Sequence, residues 1–227
     1  MFHDDQHATA VVILAGLINS LKIAKKLIED IKIVIAGAGA SGIATARLLL
    51  SYGVKSIIMT DSKGVIYQGR KENMNDHKVD ISRETNREGI KGRLADAMAG
   101  ADVFIGLSKG KTVSAEMISS MASDSIVFAL ANPEPEIMPD LAKNAGAFII
   151  ATGRGDFPNQ INNVLAFPGI FRGLLDSRRV VVDDSLKIAA AKAIAGTIDP
   201  AIDKIIPSVF DKNVHKNVAD AVRNLKG

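Results

Sequence analysis

The stretch KIVIAGAGASGIATARLLL, residues 32–50, decides how this chain folds. Lys32–Ala36 is apolar after its first residue and too short for a helix, so it reads as a strand buried on both faces. Gly37-Ala38-Gly39-Ala40-Ser41-Gly42 follows at once as G-x-G-x-x-G, and Ile43–Leu50 continues as a helix. The glycine string alone is a weak signal, but its place between a strand and a helix makes it informative. Gly37 permits the tight turn, Gly39 lets a pyrophosphate approach the backbone, and Gly42 lets helix and sheet pack closely. The N-terminus of the helix then attracts the phosphates. A second strand, Ser56–Thr60, ends at Asp61, about 20 residues past the glycines, where such sites place an acid on the adenosine ribose. A carboxylate there repels a 2′-phosphate and favours NAD, while Lys63 and Arg70 nearby offset that repulsion and leave NADP open.

Outward from this unit, apolar strands keep alternating with helices. Leu94–Met98, Ser114–Met121 and Pro139–Asn144 read as helices, and Asp102–Leu107, Ser125–Ala131 and Ala147–Thr152 as strands. Five strands that are apolar throughout imply a parallel sheet covered on both faces. The expected class is therefore α/β, a doubly wound parallel sheet of Rossmann type with helices at both chain ends. Ligands are expected at the carboxyl ends of the strands. The expected organisation is a leading helix over 8–28, a Rossmann core over 31–153 and a helical part over 156–227. In that last part Asp183 or Asp184 caps a helix running to residue 196, and one or two helices follow Ile202. The polar stretch Gly69–Gly92 reads as a surface excursion.

Composition narrows the chemistry without naming it. The chain has no cysteine, which removes disulfides, thiol nucleophiles and Cys-ligated zinc. Its net charge of +3 is scattered among acids, so no basic stripe points to nucleic acid. The apolar run Ala8–Ile18 is too short to span a bilayer, and Asp4 and Asp5 precede it where a signal peptide has cations. A cytoplasmic protein without membrane contact is expected.

Four further segments carry polar groups that chemistry can use. Gly106-Leu-Ser-Lys-Gly110-Lys-Thr112 has a phosphate-loop flavour, but three residues separate its glycines where such loops need four. It reads as a strand-to-helix loop beside the dinucleotide. His3-Asp4-Asp5-Gln6-His7 gathers candidate metal ligands. Helix capping is the ordinary role of such aspartates, and a Mg²⁺ or Mn²⁺ ion needs more ligands than this segment supplies. Asn132 follows a strand at its carboxyl end. Asn162 and Asn163 lie in a polar loop placed to approach the same edge, although asparagine is commonly a turn residue.

Taken together, FHDDQHATA (2–10), GAGASG (37–42), DSKGVIYQGR (61–70), FALANPEPEI (128–137) and ATGRGDFPNQINNVLAFPGIFRG (151–173) resemble malic enzymes of bacterial and archaeal type. The resemblance covers almost the whole chain, in order. It implies NAD or NADP and a divalent cation, Mg²⁺ or Mn²⁺, used to convert malate to pyruvate and carbon dioxide. It implies that Asp5, in preference to Asp4, is a metal ligand and that Asn132 and Asn163 hold malate. Gly37, Ala38, Gly39, Ala40, Ser41, Gly42 and Asp61 are the expected cofactor-binding residues, with Thr9 close by. The general acid and base are expected in an N-terminal substrate and metal domain, which these 227 residues are not expected to contain. Ala8 stands where the family usually has glycine, a departure expected to crowd the metal or cofactor entrance. The resemblance also implies a homo-oligomer. Two rival readings stay open: a malolactic enzyme that releases lactate, and a dinucleotide-binding module inactive without its other domain.

Overall fold

The computed structural model describes residues 3–225, and its centre is one six-stranded sheet. Phe2 of the first family-like segment and the last two residues of the expected helical part lie outside the described residues. A π-helical turn, Asp4–Ala8, leads directly into α1 (Thr9–Ala24), and β1 (Lys32–Ala36) follows. Next come α2 (Ala40–Tyr52), β2 (Ser56–Asp61), β3 (Gly64–Val65), α3 (Asp76–Glu84), α4 (Leu94–Met98) and β4 (Val103–Gly106). Then follow α5 (Ala115–Ser119), β5 (Ile126–Ala129), α6 (Pro139–Asn144), β6 (Ile149–Thr152), α7 (Phe167–Ser177), α8 (Asp184–Ala195) and α9 (Lys212–Asn224).

The strand order is β3-β2-β1-β4-β5-β6, parallel except for β3, which returns antiparallel on β2. The chain leaves β1 toward β2 on one side and later crosses to β4 on the other. The carboxyl ends of β1 and β4, with Ala36 opposite Gly106, therefore form the topological switch point where doubly wound folds open a crevice.

Alternation of side chains along the strands splits the core in two. Ile33, Ile35, Ile57, Met59, Ile105 and Phe128 face one layer, shared with α1, α2 and α8. Val34, Ile58, Phe104 and Val127 face the other, shared with α4, α5 and α6. Both faces are covered, which is why the strands are apolar on both sides. Asn19 donates to the carbonyls of Ala195 and Ile205 at 3.0 Å each, tying α1 to the C-terminal part of the chain.

Several expectations are corrected. The leading helix stops at Ala24 rather than 28, because Lys25 adopts a left-handed conformation that closes it. With the π-helical turn added, Asp4–Ala24 is long and apolar enough to cross a membrane, unlike the shorter apolar run within it. In this fold that apolarity is consumed internally, since Val11–Ala15 and Leu17 are fully buried in the first layer. The segment Gly69–Gly92 is more than an excursion: it contains α3, capped by Asn75, and buries Arg70, Lys78 and Asn86. Helix α7 lies within the expected helical part over 156–227 and starts with Pro168 in its first turn, although it includes Gly169 and Gly173, and glycine is a poor helix former. Both glycines are packing solutions, since a Cβ on either would sit 2.6 Å from Val218 or Val222 of α9.

Candidate functional site

Two cavities adjoin at the switch point, with Leu107 in the wall of both. The larger, about 930 Å³, runs from Asp61 and Lys78 past Gly37–Gly39 to Ser108 and Lys109. The smaller, about 230 Å³, is walled by Asp5, Thr9, Asn132, Asn162 and Asn163, with Gly153 beside them.

The glycine turn forms one wall of the larger cavity. The N–H of Gly37 donates to the carbonyl of Thr60 at 2.9 Å, and Gly37 takes a φ of +118° that suits glycine. A Cβ on Gly42 would lie 1.9 Å from the Gly37 carbonyl oxygen, so turn and helix touch backbone to backbone. A Cβ on Gly39, by contrast, would meet nothing within 4 Å. That open space lies at the N-terminus of α2, where unpaired N–H groups attract anions. Ala40 and Ser41 begin this helix, just behind the cavity wall. The Ser41 hydroxyl donates to the carbonyl of Asp5 at 2.7 Å, tying the turn to the N-terminal segment.

Asp61 stands at the other end, its side chain 8% exposed. One carboxylate oxygen accepts from the Arg70 guanidinium, from Lys78 Nζ at 2.7 Å and from Asn73 Nδ2 at 3.0 Å. The other accepts the Lys63 N–H at 2.9 Å. Burial alone would push this carboxyl up, but the hydrogen bonds from Arg70 and Lys78 outweigh it and hold the group below the ordinary carboxylate range. Sequence reasoning finds Lys63 and Arg70 here but misses Lys78, because a lysine in a polar run gives no sign of being buried.

In the smaller cavity the sequence-predicted residues Asp5, Thr9, Asn132 and Asn163 come together from separate segments. The Asn132 side chain is exposed and hydrogen-bonds to none of the described residues. Gly153 makes room for it, since a Cβ there would lie 2.8 Å from Asn132 Nδ2. Asn162 is committed locally, its side chain accepting the Val164 N–H at 3.0 Å. Asn163 Nδ2 donates to Asp4 Oδ2 at 2.6 Å, while Asp4 Oδ1 is buried and has no partner. Burial, aided by the charge of Asp5, pushes the Asp4 carboxyl up. Ala8 is fully buried in the core and lines neither cavity, so it does not crowd an entrance.

An unpartnered buried carboxylate oxygen beside a second carboxylate fits a hard divalent cation, which takes oxygen ligands. The fit is partial: among the described residues no three His, Cys, Asp or Glu side chains gather as a metal-binding group. Any ion held by Asp4 or Asp5 needs further oxygens from water, substrate or other protein.

Residues 6–225 match the family model described as malic enzyme, NAD binding domain. The chain is 53% identical over 225 residues to the bifunctional malic/malolactic enzyme of Bacillus subtilis, covering 98% of this chain and 55% of that protein. It is 50% identical to the NAD-dependent malic enzyme of Geobacillus stearothermophilus, covering 98% of this chain and 47% of that protein. The crystal structure of an NAD-dependent malic enzyme from Thermotoga maritima superposes with a TM-score of 0.96 at 46% identity, covering 98% of this chain and 59% of that one. The chain thus spans about half the length of the curated relatives it matches.

Proposed function

The chain belongs to the malic enzyme family, as an NAD-binding domain, and on that premise we propose that it is the cofactor-holding part of an enzyme that oxidatively decarboxylates malate to pyruvate. The observation that carries the reading is the meeting of Asp5, Thr9, Asn132 and Asn163 in one small cavity that shares Leu107 with the glycine-lined one. A dinucleotide laid from Asp61 across Gly37–Ser41 would bring its nicotinamide to that junction.

Bound NAD(P) supplies the hydride acceptor for C2 of malate, and a divalent cation supplies polarisation of the C2 oxygen. This chain's residues do the holding. Backbone N–H groups at the start of α2 bind the pyrophosphate, and Gly39 lets it approach. The Asp61 oxygen that meets only the Lys63 N–H accepts from the adenosine ribose. NAD is the preferred cofactor, and Arg70 and Lys78 neutralise enough of Asp61 for NADP to be tolerated. Asn132, free of other partners, donates its amide to a malate carboxylate. Asn163, already donating to Asp4, offers its carbonyl oxygen to the substrate hydroxyl. Asp5, with Asp4 beside it, would hold Mg²⁺ or Mn²⁺.

The resemblance to malic enzymes assigns the general acid and base to protein outside this chain, and the two tyrosines here, Tyr52 and Tyr67, line neither cavity. The working enzyme is a cytoplasmic homo-oligomer acting on malate, with no nucleic-acid or membrane partner. The bifunctional name of one relative gives a second reading, release of lactate from the same site.

Following malate-dependent reduction of NAD and NADP with Mn²⁺, with product analysis, tests this. The full-length protein containing this chain is expected to turn over and release pyruvate, whereas the 227-residue chain alone is expected to bind NADH without turnover. Robust turnover by the chain alone would overturn the placement of acid and base. Lactate as sole product would favour the second reading.

A further inference from the structure

A buried acid between the two cavities has no part in the chemistry above. Glu136 is 0% exposed, and no Lys or Arg among the described residues pairs with it. Its two oxygens are held by backbone: Oε1 accepts the Ser108 N–H at 3.1 Å and Oε2 the Ala131 N–H at 3.0 Å. Ser108 lies in the loop after β4, in the wall of the larger cavity. Ala131 lies in the loop after β5, next to Asn132 of the smaller one. The sheet is shaped around this acid, since a Cβ on Gly106 would lie 2.2 Å from the Glu136 carboxyl carbon.

A buried carboxylate without a cation is costly unless its hydrogen bonds compensate. The Ser108 and Ala131 N–H groups offset part of that cost, although burial still pushes the carboxyl up, and in doing so Glu136 grips both loops at once. We propose that Glu136 is a positioning residue that locks the loop beside the dinucleotide to the loop carrying Asn132, fixing the nicotinamide end of the cofactor relative to the substrate. This rests on the larger cavity being the dinucleotide site. Neutral glutamine keeps one acceptor oxygen and presents an NH₂ in place of the other. It therefore opposes one of the two N–H donors and must release that loop. Alanine at position 106 displaces the carboxylate from the opposite side.

The test combines amide hydrogen exchange with ligand affinity on the 227-residue chain. In Glu136→Gln and in Gly106→Ala, exchange at Ser108 or Ala131 is expected to rise about tenfold, with the sheet amides unchanged. NADH affinity is expected to fall about tenfold, while ADP, which lacks the nicotinamide half, binds within about twofold of wild type. A residue that only stabilised the fold would weaken both ligands together. In the wild type, NMR couplings through the hydrogen bonds from both amides to the Glu136 carboxyl carbon are expected, and that measurement stands even if neither variant folds. Absence of both couplings, unchanged exchange in both variants, or equal losses of NADH and ADP would overturn the proposal. If wild type bound no NADH, the cofactor reading would fail, whereas the exchange and coupling results would still decide whether Glu136 locks the loops.

Discussion

Gly39 and Gly42 stand three residues apart in one motif, and the structure predicts opposite consequences for the same substitution. Alanine at 42 would place its Cβ 1.9 Å from the Gly37 carbonyl oxygen, where real contacts stay beyond 3.0 Å. One backbone must therefore give by about 1.1 Å, the difference of those two distances, and the carbonyl cannot swing aside as a flexible side chain would. Overpacking of this kind costs about 3 kcal/mol, the upper part of its usual range. For a chain of this size that lowers Tm by about 6–12 °C. Alanine at 39 meets nothing within 4 Å and keeps an ordinary φ of −84°, so the cost is that of a poorer N-cap, about 1 kcal/mol or less. Yet that Cβ would occupy the space the pyrophosphate needs. Calorimetric melting paired with NADH titration separates the two effects. Gly39→Ala should melt within about 4 °C of wild type and lose at least about tenfold in NADH affinity. Wild-type affinity in Gly39→Ala would refute the placement of the phosphates, whatever Gly42→Ala does.

Other outcomes follow from the same geometry. Asp61→Ser removes the partner of two buried cations, so unfolding should become easier by about 3 kcal/mol and the NADP-to-NAD affinity ratio should rise; an unchanged ratio would remove Asp61 from cofactor choice. Because the folded Asp61 carboxyl lies below its ordinary value of 3.8, its contribution is complete above that pH and is lost as pH falls through the folded value. An acid-melting series should therefore lose this portion of its slope in Asp61→Ser. Asn132→Ala, which breaks no hydrogen bond among the described residues, should leave Tm unchanged and raise the KM for malate about tenfold in the full-length enzyme. Asp5→Asn should abolish Mn²⁺-dependent decarboxylation while NADH affinity stays near wild type; equal loss of both would return Asp5 to helix capping.

The parts of the fold legible in the sequence are those whose cause is local. The strand, glycine turn and helix over 32–50 can be read because burial on both faces and close backbone approach each demand particular residues. Helix α8 can be read from its cap, and Asp183 does accept the Leu186 N–H. The illegible parts have causes elsewhere in the chain. The two residues of β3 are too few to show a period, so the antiparallel edge of the sheet is invisible. Arg70 and Lys78 are buried by pairing with Asp61, which hydropathy cannot register. Gly169 and Gly173 look like helix breakers until Val218 and Val222 are set against them. At the candidate site, the separate segments can be named from resemblance, but their meeting depends on the crossover that brings β4 beside β1.

The sharpest check is a crystal structure of the full-length protein containing this chain, soaked with NADH, Mn²⁺ and malate. The pyrophosphate should lie over Gly37–Ser41 with the nicotinamide beside Leu107, and Asn132, Asn163 and Asp5 should surround whatever density fills the smaller cavity. A dinucleotide bound away from the glycine turn, or a nicotinamide pointing away from Asn132, would contradict it.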